Sequence, residues 1–259
     1  MKATPASTIG DFRLRPAARP LRNSFACLWI HRMPQRDMPP ITIVPDGTID
    51  LQWIDGTFRV AGPDKEPKIE ILEAGATVIA LRFKPAAAAA WLGIPASEMV
   101  GQRLPLADLW GAKARHLADR VNLQLSTNGL VGAVETVIAR ANRDLMPDRA
   151  MAMAYELIRV GPPPETSLLP WLATELGLSE RTIRRRFDEC YGYGPKTLDR
   201  ILRYQHFLEL SGRAYGSTAV LAMEAGYSDQ AHLIRESRRL TGSTPGEFEA
   251  ATERTASTG

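Results

Sequence analysis

Cysteine is scarce: Cys27 and Cys190 are the only two in 259 residues, too few for a disulfide framework or a four-thiolate zinc site. The histidines, His31, His116, His206 and His232, stand at no metal-ligand spacing. No apolar run approaches the roughly eighteen residues of a membrane span, and Pro5, Pro16, Pro20 and several arginines interrupt the start, which leaves no signal-peptide core. The expectation is a soluble, cytoplasmic chain without metal or cofactor. G-x-S-x-G, P-loop and dinucleotide fingerprints are missing too, so no enzyme is expected. Charge of one sign is also lacking. The net charge is +3, and residues 149–250 hold thirteen Arg or Lys against thirteen Asp or Glu. Any affinity for nucleic acid must therefore come from where the arginines stand, not from how many there are.

What is present is a pattern written twice. Leu172-Ala173, Gly177, Ser179, Ile183, Phe187, Gly192 and Pro195 recur as Leu221-Ala222, Gly226, Asp229, Leu233, Ser237, Gly242 and Pro245, fifty residues apart from Ser179 onward and forty-nine before it. Such self-similarity indicates two copies of one supersecondary unit. In the first, Leu169, Leu172, Ala173 and Leu176 fall at helical spacing, Gly177 supplies a left-handed position and Ser179 caps a new helix. That helix keeps Ile183 and Phe187 on one face and turns Arg181, Arg184 and Arg185 outward, with Arg186 on the flank. In the second, Ser217 or Thr218 caps one helix, Gly226-Tyr227 turns, and Ser228 or Asp229 caps a helix presenting Gln230, Ala231, Ile234 and Arg235. A helix-turn-helix needs such a second helix, apolar towards its neighbour and rich in donors towards the major groove.

The stretch from Arg149 to Phe248 resembles the DNA-binding module of AraC-type transcription regulators. The likeness is carried by Leu172-Ala173, Leu178-Ser179, Arg186-Phe187 and Gly192-Tyr193-Gly194-Pro195, by the linker Arg200-Ile201-Leu202-Arg203-Tyr204-Gln205, and above all by Ala225-Gly226-Tyr227-Ser228-Asp229-Gln230-Ala231-His232 and Gly242-Ser243-Thr244-Pro245. The resemblance implies two helix-turn-helix units, about 168–195 and 217–245, joined by a long helix. The chain departs from the pattern at Ser237, where the family has a buried aromatic, and at Leu233-Ile234, where it has Phe-Ser. A serine there removes apolar burial of about 2 kcal/mol. The second unit is therefore expected to be the looser one, and an aromatic at 237 to stabilise it.

The fold class expected is α+β, a β-rich N-terminal domain with flanking helices followed by an all-α module. Residues 1–22, rich in Pro, Ala and Arg, suggest a loosely ordered arm. Residues 23–147 carry β-type runs at Phe25–His31, Ile41–Val44, Thr48–Ile54, Thr57–Ala61 and Ala76–Phe83, with turns at Pro45-Asp46-Gly47 and Asp55-Gly56. The alternation Ile49, Leu51, Trp53 indicates a half-buried strand. A helix from Ala86 to Leu92 ends at Gly93. Two amphipathic helices follow, Pro105–Gln124 and Val131–Asn142, broken at Asn128-Gly129. They either form a dimer contact or only pack on the β-domain. The module spans 148–250, opening with a helix over Arg149–Val160 and the stiff connector Gly161–Pro164, and 251–259 is a tail.

This region also resembles the domain that precedes some AraC-type modules, through Val44-Pro45-Asp46-Gly47, Ala61-Gly62-Pro63, Leu81-Arg82-Phe83-Lys84-Pro85 and Leu109-Trp110-Gly111. By that likeness it is a sensor or dimerisation domain. The implied function is a sequence-specific transcription regulator whose partners are double-stranded operator DNA, a second copy of itself, RNA polymerase and a small-molecule effector. Arg181, Arg184 and Arg185, with Gln230, Ala231, Ile234 and Arg235, are the expected base-edge and nearby phosphate contacts, and Arg186, Arg200 and Arg203 are expected to meet phosphate or solvent. Competing readings are an architectural DNA-binding protein without an effector, and an enzyme using Asp46, Asp50 and Arg82 in a β-lined pocket.

Overall fold

The computed structural model describes residues 4–5, 9–123, 127–141, 145–212 and 216–256. Its strands are β1 (Thr4–Pro5), β2 (Asp11–Pro16), β3 (Phe25–Arg32), β4 (Ile41–Ile43), β5 (Asp50–Ile54), β6 (Thr57–Ala61), β7 (Lys68–Glu70), β8 (Thr77–Phe83) and β9 (Arg103–Pro105). Six of them form an antiparallel sheet in the order β2-β3-β8-β5-β6-β9, and β1-β4-β7 form a small second sheet. The β5–β6 hairpin turns on Asp55 and Gly56, both at positive φ, so that Ile54 pairs with Thr57. That is the two-residue turn which Asp-Gly favours.

Each strand of the large sheet has two unlike faces. Leu28, Leu51, Trp53, Val60, Ile79 and Leu81 point to one side and build the N-terminal core. Helices α1 (Ala88–Leu92), α2 (Leu106–Trp110), α3 (Ala112–Asn122) and α4 (Thr127–Ala141) cover it. The buried stripes Ala114, Leu117, Val121 and Ala133, Val134, Val137, Ile138 of α3 and α4 are consumed by this core. Packing on the β-domain is thus what these helices do. The opposite face carries Trp29, His31, Asp50, Gln52, Arg59 and Arg82, and the C-terminal helices close over it across a cavity.

Several features differ from expectation, among them the helix expected over Pro105–Gln124, which is split at Gly111 into α2 and α3. Residues 11–16 are not an arm but a strand paired along its whole length with β3; residues 1–3 and 6–8 of that segment lie outside the described residues. Strand β5 is buried on both faces, Asp50 and Gln52 included, because the C-terminal module covers its polar side. Asn128-Gly129 does not break a helix but lies in the first turn of α4, where neither residue has yet lost much to the ladder. Gln124 and Asn142, expected as helix ends, are outside the described residues. The supposed tail continues α11 to Ala256, and 257–259 are undescribed.

The C-terminal module comprises α5 (Arg149–Val160), α6 (Leu168–Leu176), α7 (Glu180–Tyr191), α8 (Pro195–Ser211), α9 (Thr218–Glu224), α10 (Gln230–Thr241) and α11 (Pro245–Ala256). Helix α8, with 17 residues, is about 25 Å long. Its buried residues Leu198, Ile201, Leu202, Tyr204 and Phe207 join both halves of one core. The N-terminal domain reaches the same helix: Gln205 Nε2 donates to the Pro45 carbonyl at 2.7 Å, and Val44 packs into the module's core.

Candidate nucleic-acid interface

Local chemistry sets both helix-turn-helix units. Helix α6 ends at Gly177 in the left-handed region, φ 61°, and Ser179 accepts the Thr182 N–H to start α7. In the second unit Gly226 takes φ 84°, and Asp229 accepts the His232 N–H at 2.7 Å. That bond holds the fully exposed Asp229 carboxyl below the usual carboxylate range. Of the two caps left open for each helix of the second unit, Ser217 and Asp229 are the ones used. His232 lies edge-on to Tyr227 and its Nδ1 is 3.2 Å from Ser228 Oγ, which fixes the turn.

Helix α7 buries Ile183, Phe187, Cys190 and Tyr191 and exposes Arg181, Arg184 and Arg185. Two of these guanidiniums are parked on their own helix, Arg184 on Glu180 at 2.9 Å and Arg185 on Glu189 at 2.6 Å. Exposed pairs of this kind are worth a few tenths of a kcal/mol, so a phosphate or a guanine edge can displace them at small cost. Helix α10 buries Leu233, Ser237, Leu240 and Thr241; Gln230, Ala231 and Arg235 are exposed and Ile234 is half-buried. Superposing the repeat puts Arg185 and Arg235 at equivalent outward positions. Arg238 and Arg239 are exposed on α10 as well. The reading from sequence passed over Arg238, although its place three residues after Arg235 was the available signal.

Arg186 is different. Its guanidinium straddles Asp148, with Nε 2.9 Å from Oδ2 and Nη2 on Oδ1. The same carboxylate caps α5 by accepting the Met151 N–H. Burial alone would raise the Asp148 carboxyl, but the Arg186 guanidinium and the backbone N–H groups outweigh it and hold it below its ordinary range. Arg186 therefore ties α5 to α7. The second copy has the same device with its charges exchanged: Glu236, fifty residues on, pairs with Arg200 of α8 at 3.2 Å. Arg203 is likewise taken, by Asp199 at 2.6 Å. Arg200 and Arg203 are thus each engaged in an ion pair, less exposed than those of Arg184 and Arg185.

Ser237 is fully buried and fully used. Its hydroxyl donates to the Ser243 carbonyl at 2.8 Å and lies 3.0 Å from the Tyr204 hydroxyl, and the Thr241 hydroxyl donates to the Ser237 carbonyl at 2.8 Å. The aromatic missing at 237 is replaced by the phenol of Tyr204, reaching in from α8. The serine at this core position is thus buried and hydrogen-bonded, which offsets part of the expected loss of apolar burial.

The C-terminal end of α7 rests on the N-terminal domain. Gly192 sits at φ 76°, and a Cβ there would stand 2.8 Å from the Ala96 carbonyl. Cys190 is packed nearby, and burial together with the Asp148 charge pushes its thiol up to about 12. Asp46, Asp50 and Arg82, the polar groups of the enzyme reading, do come together as ion pairs: Arg82 Nε lies 3.0 Å from Asp50, and Nη2 lies 2.9 Å from Asp46.

The helix-turn-helix stretch has counterparts among known proteins. The family described as "Helix-turn-helix domain" matches residues 172–251, and a domain of unknown function matches residues 13–105. Over 75 residues the chain is 36% identical to the virulence regulon transcriptional activator VirF of Yersinia enterocolitica and to the thermoregulatory protein LcrF of Yersinia pestis, which is 28% of this chain and 27% of each relative. The match thus spans about a quarter of those relatives' length. Apo ToxT K231A of Vibrio cholerae is 9% identical, with a TM-score of 0.49 over 92% of this chain and 100% of that one. Residues 172–251 belong to the AraC-type helix-turn-helix domains, here carried behind a β-rich N-terminal domain.

Proposed function

We propose that the chain is a sequence-specific transcription regulator that reads operator DNA with α7 and α10. The observation that carries this is the pairing of two capped helices, each held to the scaffold by a buried face and one ion pair, with Arg185 and Arg235 at equivalent outward positions. Arg181, Arg184 and Arg185 meet one major-groove segment, and Gln230, Ala231, Ile234, Arg235 and Arg238 meet the next. Arg reads guanine, Gln reads adenine, and Ala or Ile touches a thymine methyl. Control lies in the N-terminal domain, through an effector held between it and the module and through pairing of two copies.

The test is selection from random DNA with the full chain, followed by footprinting of the enriched site. Protection of two successive helical turns on one face, about 10 base pairs apart, is expected. Enrichment of no sequence would return the architectural reading. Light scattering of the full chain is expected to give a dimer.

A further inference from the structure

Between the polar face of the sheet and the second helix-turn-helix unit lies a cavity of about 780 Å³, the size of a site for a small organic molecule. One wall is β-structure, with Trp29, Asp50, Gln52, Arg59 and Arg103; the other is made by α8, α9 and α11 through Leu208, Ser211, Thr218, Leu221 and Phe248. Among the described residues the charges on it are unequal: Asp46, Asp50, Asp64, Glu70 and Glu249 face Arg59, Arg82 and Arg103.

Those guanidiniums are already engaged. Arg103 lies on Glu70 at 2.5 Å and on Asp64 at 2.8 Å. Arg59 is bound to Gln52 at 2.7 Å and Glu70 at 2.9 Å, and Arg82 to Asp50 and Asp46. A ligand carboxylate would meet a wall where carboxylates are in excess. A ligand ammonium would find unused lone pairs and relieve that excess in a partly desolvated space. Phe12 and Trp29, with ring centroids 5.8 Å apart, add an aromatic surface that favours a cation, and Ile41, Ile43 and Leu72 offer an apolar lining.

We infer that this cavity binds a small organic cation, an amine or guanidine on an apolar body, with its charged end among the carboxylates. The inference rests on the effector-controlled reading proposed above and names the class of effector.

The experiment uses the full chain without DNA and three matched probes: 2-phenylethylamine, 2-phenylethanol and 3-phenylpropanoate. Calorimetric titration and thermal shift are expected to show the amine binding at least about tenfold tighter than either other probe. Asp46→Asn can keep the Asx turn that Asp46 makes with Thr48, and Glu249→Gln is its counterpart on the module side. At least one of the two is expected to weaken the amine about tenfold and leave the alcohol unchanged, with the melting temperature of each unliganded variant as the folding control. Equal binding of the alcohol, preference for the acid, no binding of any probe, or amine affinity unchanged in both folded variants would each overturn the inference. Amine binding that leaves affinity for the selected DNA site unaltered would instead sink effector control while keeping the site.

Discussion

Removing the Ser237 hydroxyl should destabilise the protein by about 1–3 kcal/mol, because it takes a hydrogen-bond partner from both the Tyr204 hydroxyl and the Ser243 carbonyl. Ser237 Oγ has two partners, the Tyr204 hydroxyl at 3.0 Å and the Ser243 carbonyl at 2.8 Å. In Ser237→Ala the Ser243 carbonyl is left to the Thr241 hydroxyl, whose single proton also serves the Ser237 carbonyl, and the Tyr204 hydroxyl is left with Thr241 alone. Tyr204→Phe should cost less, about 0.5–1.5 kcal/mol, since Ser237 can go on donating to Ser243. The double variant should fall short of the sum by about 1 kcal/mol, the signature of two groups that need each other. Ser237→Phe should be worse than either single change. The phenol of Tyr204 fills the space that an aromatic would enter, and overpacking adds about 1–3 kcal/mol. Urea unfolding of the full chain followed by circular dichroism measures all four, and in a protein of this size 1 kcal/mol moves the melting temperature by about 2–4 °C. A neutral Ser237→Ala, or a phenylalanine that stabilises, would refute the polar-filling account and restore the expectation of a looser second unit.

Arg185→Ala and Arg235→Ala should each cost about 1–3 kcal/mol on the selected site and relax preference at one base position, one in each half of the site, as titrations on single-base variants would show. Arg186→Ala should lower stability and leave the salt slope of DNA binding unchanged, in contrast to a phosphate contact, which would reduce it by about one. The folded Asp148 carboxyl titrates below the value near 3.9 of an unfolded aspartate. Its contribution is present above about pH 4 and lost as the pH falls through the folded value, so the stability gap between the parent and Asp148→Asn should be flat at neutral pH and shrink below about pH 4. Gly192→Ala and Gly242→Ala share a left-handed backbone worth about 1–2 kcal/mol each. Only the first meets a carbonyl of the other domain, so it should melt measurably lower than its counterpart.

The parts of the fold that were legible are those encoded over a few residues. Gly177, Ser179, Gly226 and Asp229 announce their turns because the left-handed position and the cap act within one helical turn. Asp55-Gly56 announces the hairpin for the same reason. What escaped depends on partners far along the chain. Ser237 looked like a loss because Tyr204, which makes it useful, is 33 residues away. Arg186 looked like a DNA contact because Asp148, which holds it, is 38 away. Residues 11–16 looked unstructured because their alternation is written in unlike groups. Phe12 turns to Trp29 on the cavity side, while Arg15 turns to Glu135 of α4, and neither face is uniformly apolar.

The N-terminal domain meets the helical module at several places, among the described residues Ala96 under the end of α7, Ala86 at the start of α5, the Pro45 turn against α8, and the cavity wall formed by α9 and α11. The first three are direct contacts. The last is a void lined by charged and apolar groups. Arg82 joins the Pro45 turn to this void, because it holds Asp46 in the turn and Asp50 in the sheet at once. Any group that competes for Asp46 in the cavity therefore works on the turn that carries α8, and α8 in turn holds α10 through Arg200 and Glu236. The connection from the cavity to α10 thus runs through two ion pairs and the Gln205–Pro45 hydrogen bond. Helix α7, held by the like pair of Arg186 with Asp148, has in addition the close seat of Gly192 on Ala96, for which Gly242 at the end of α10 has no counterpart.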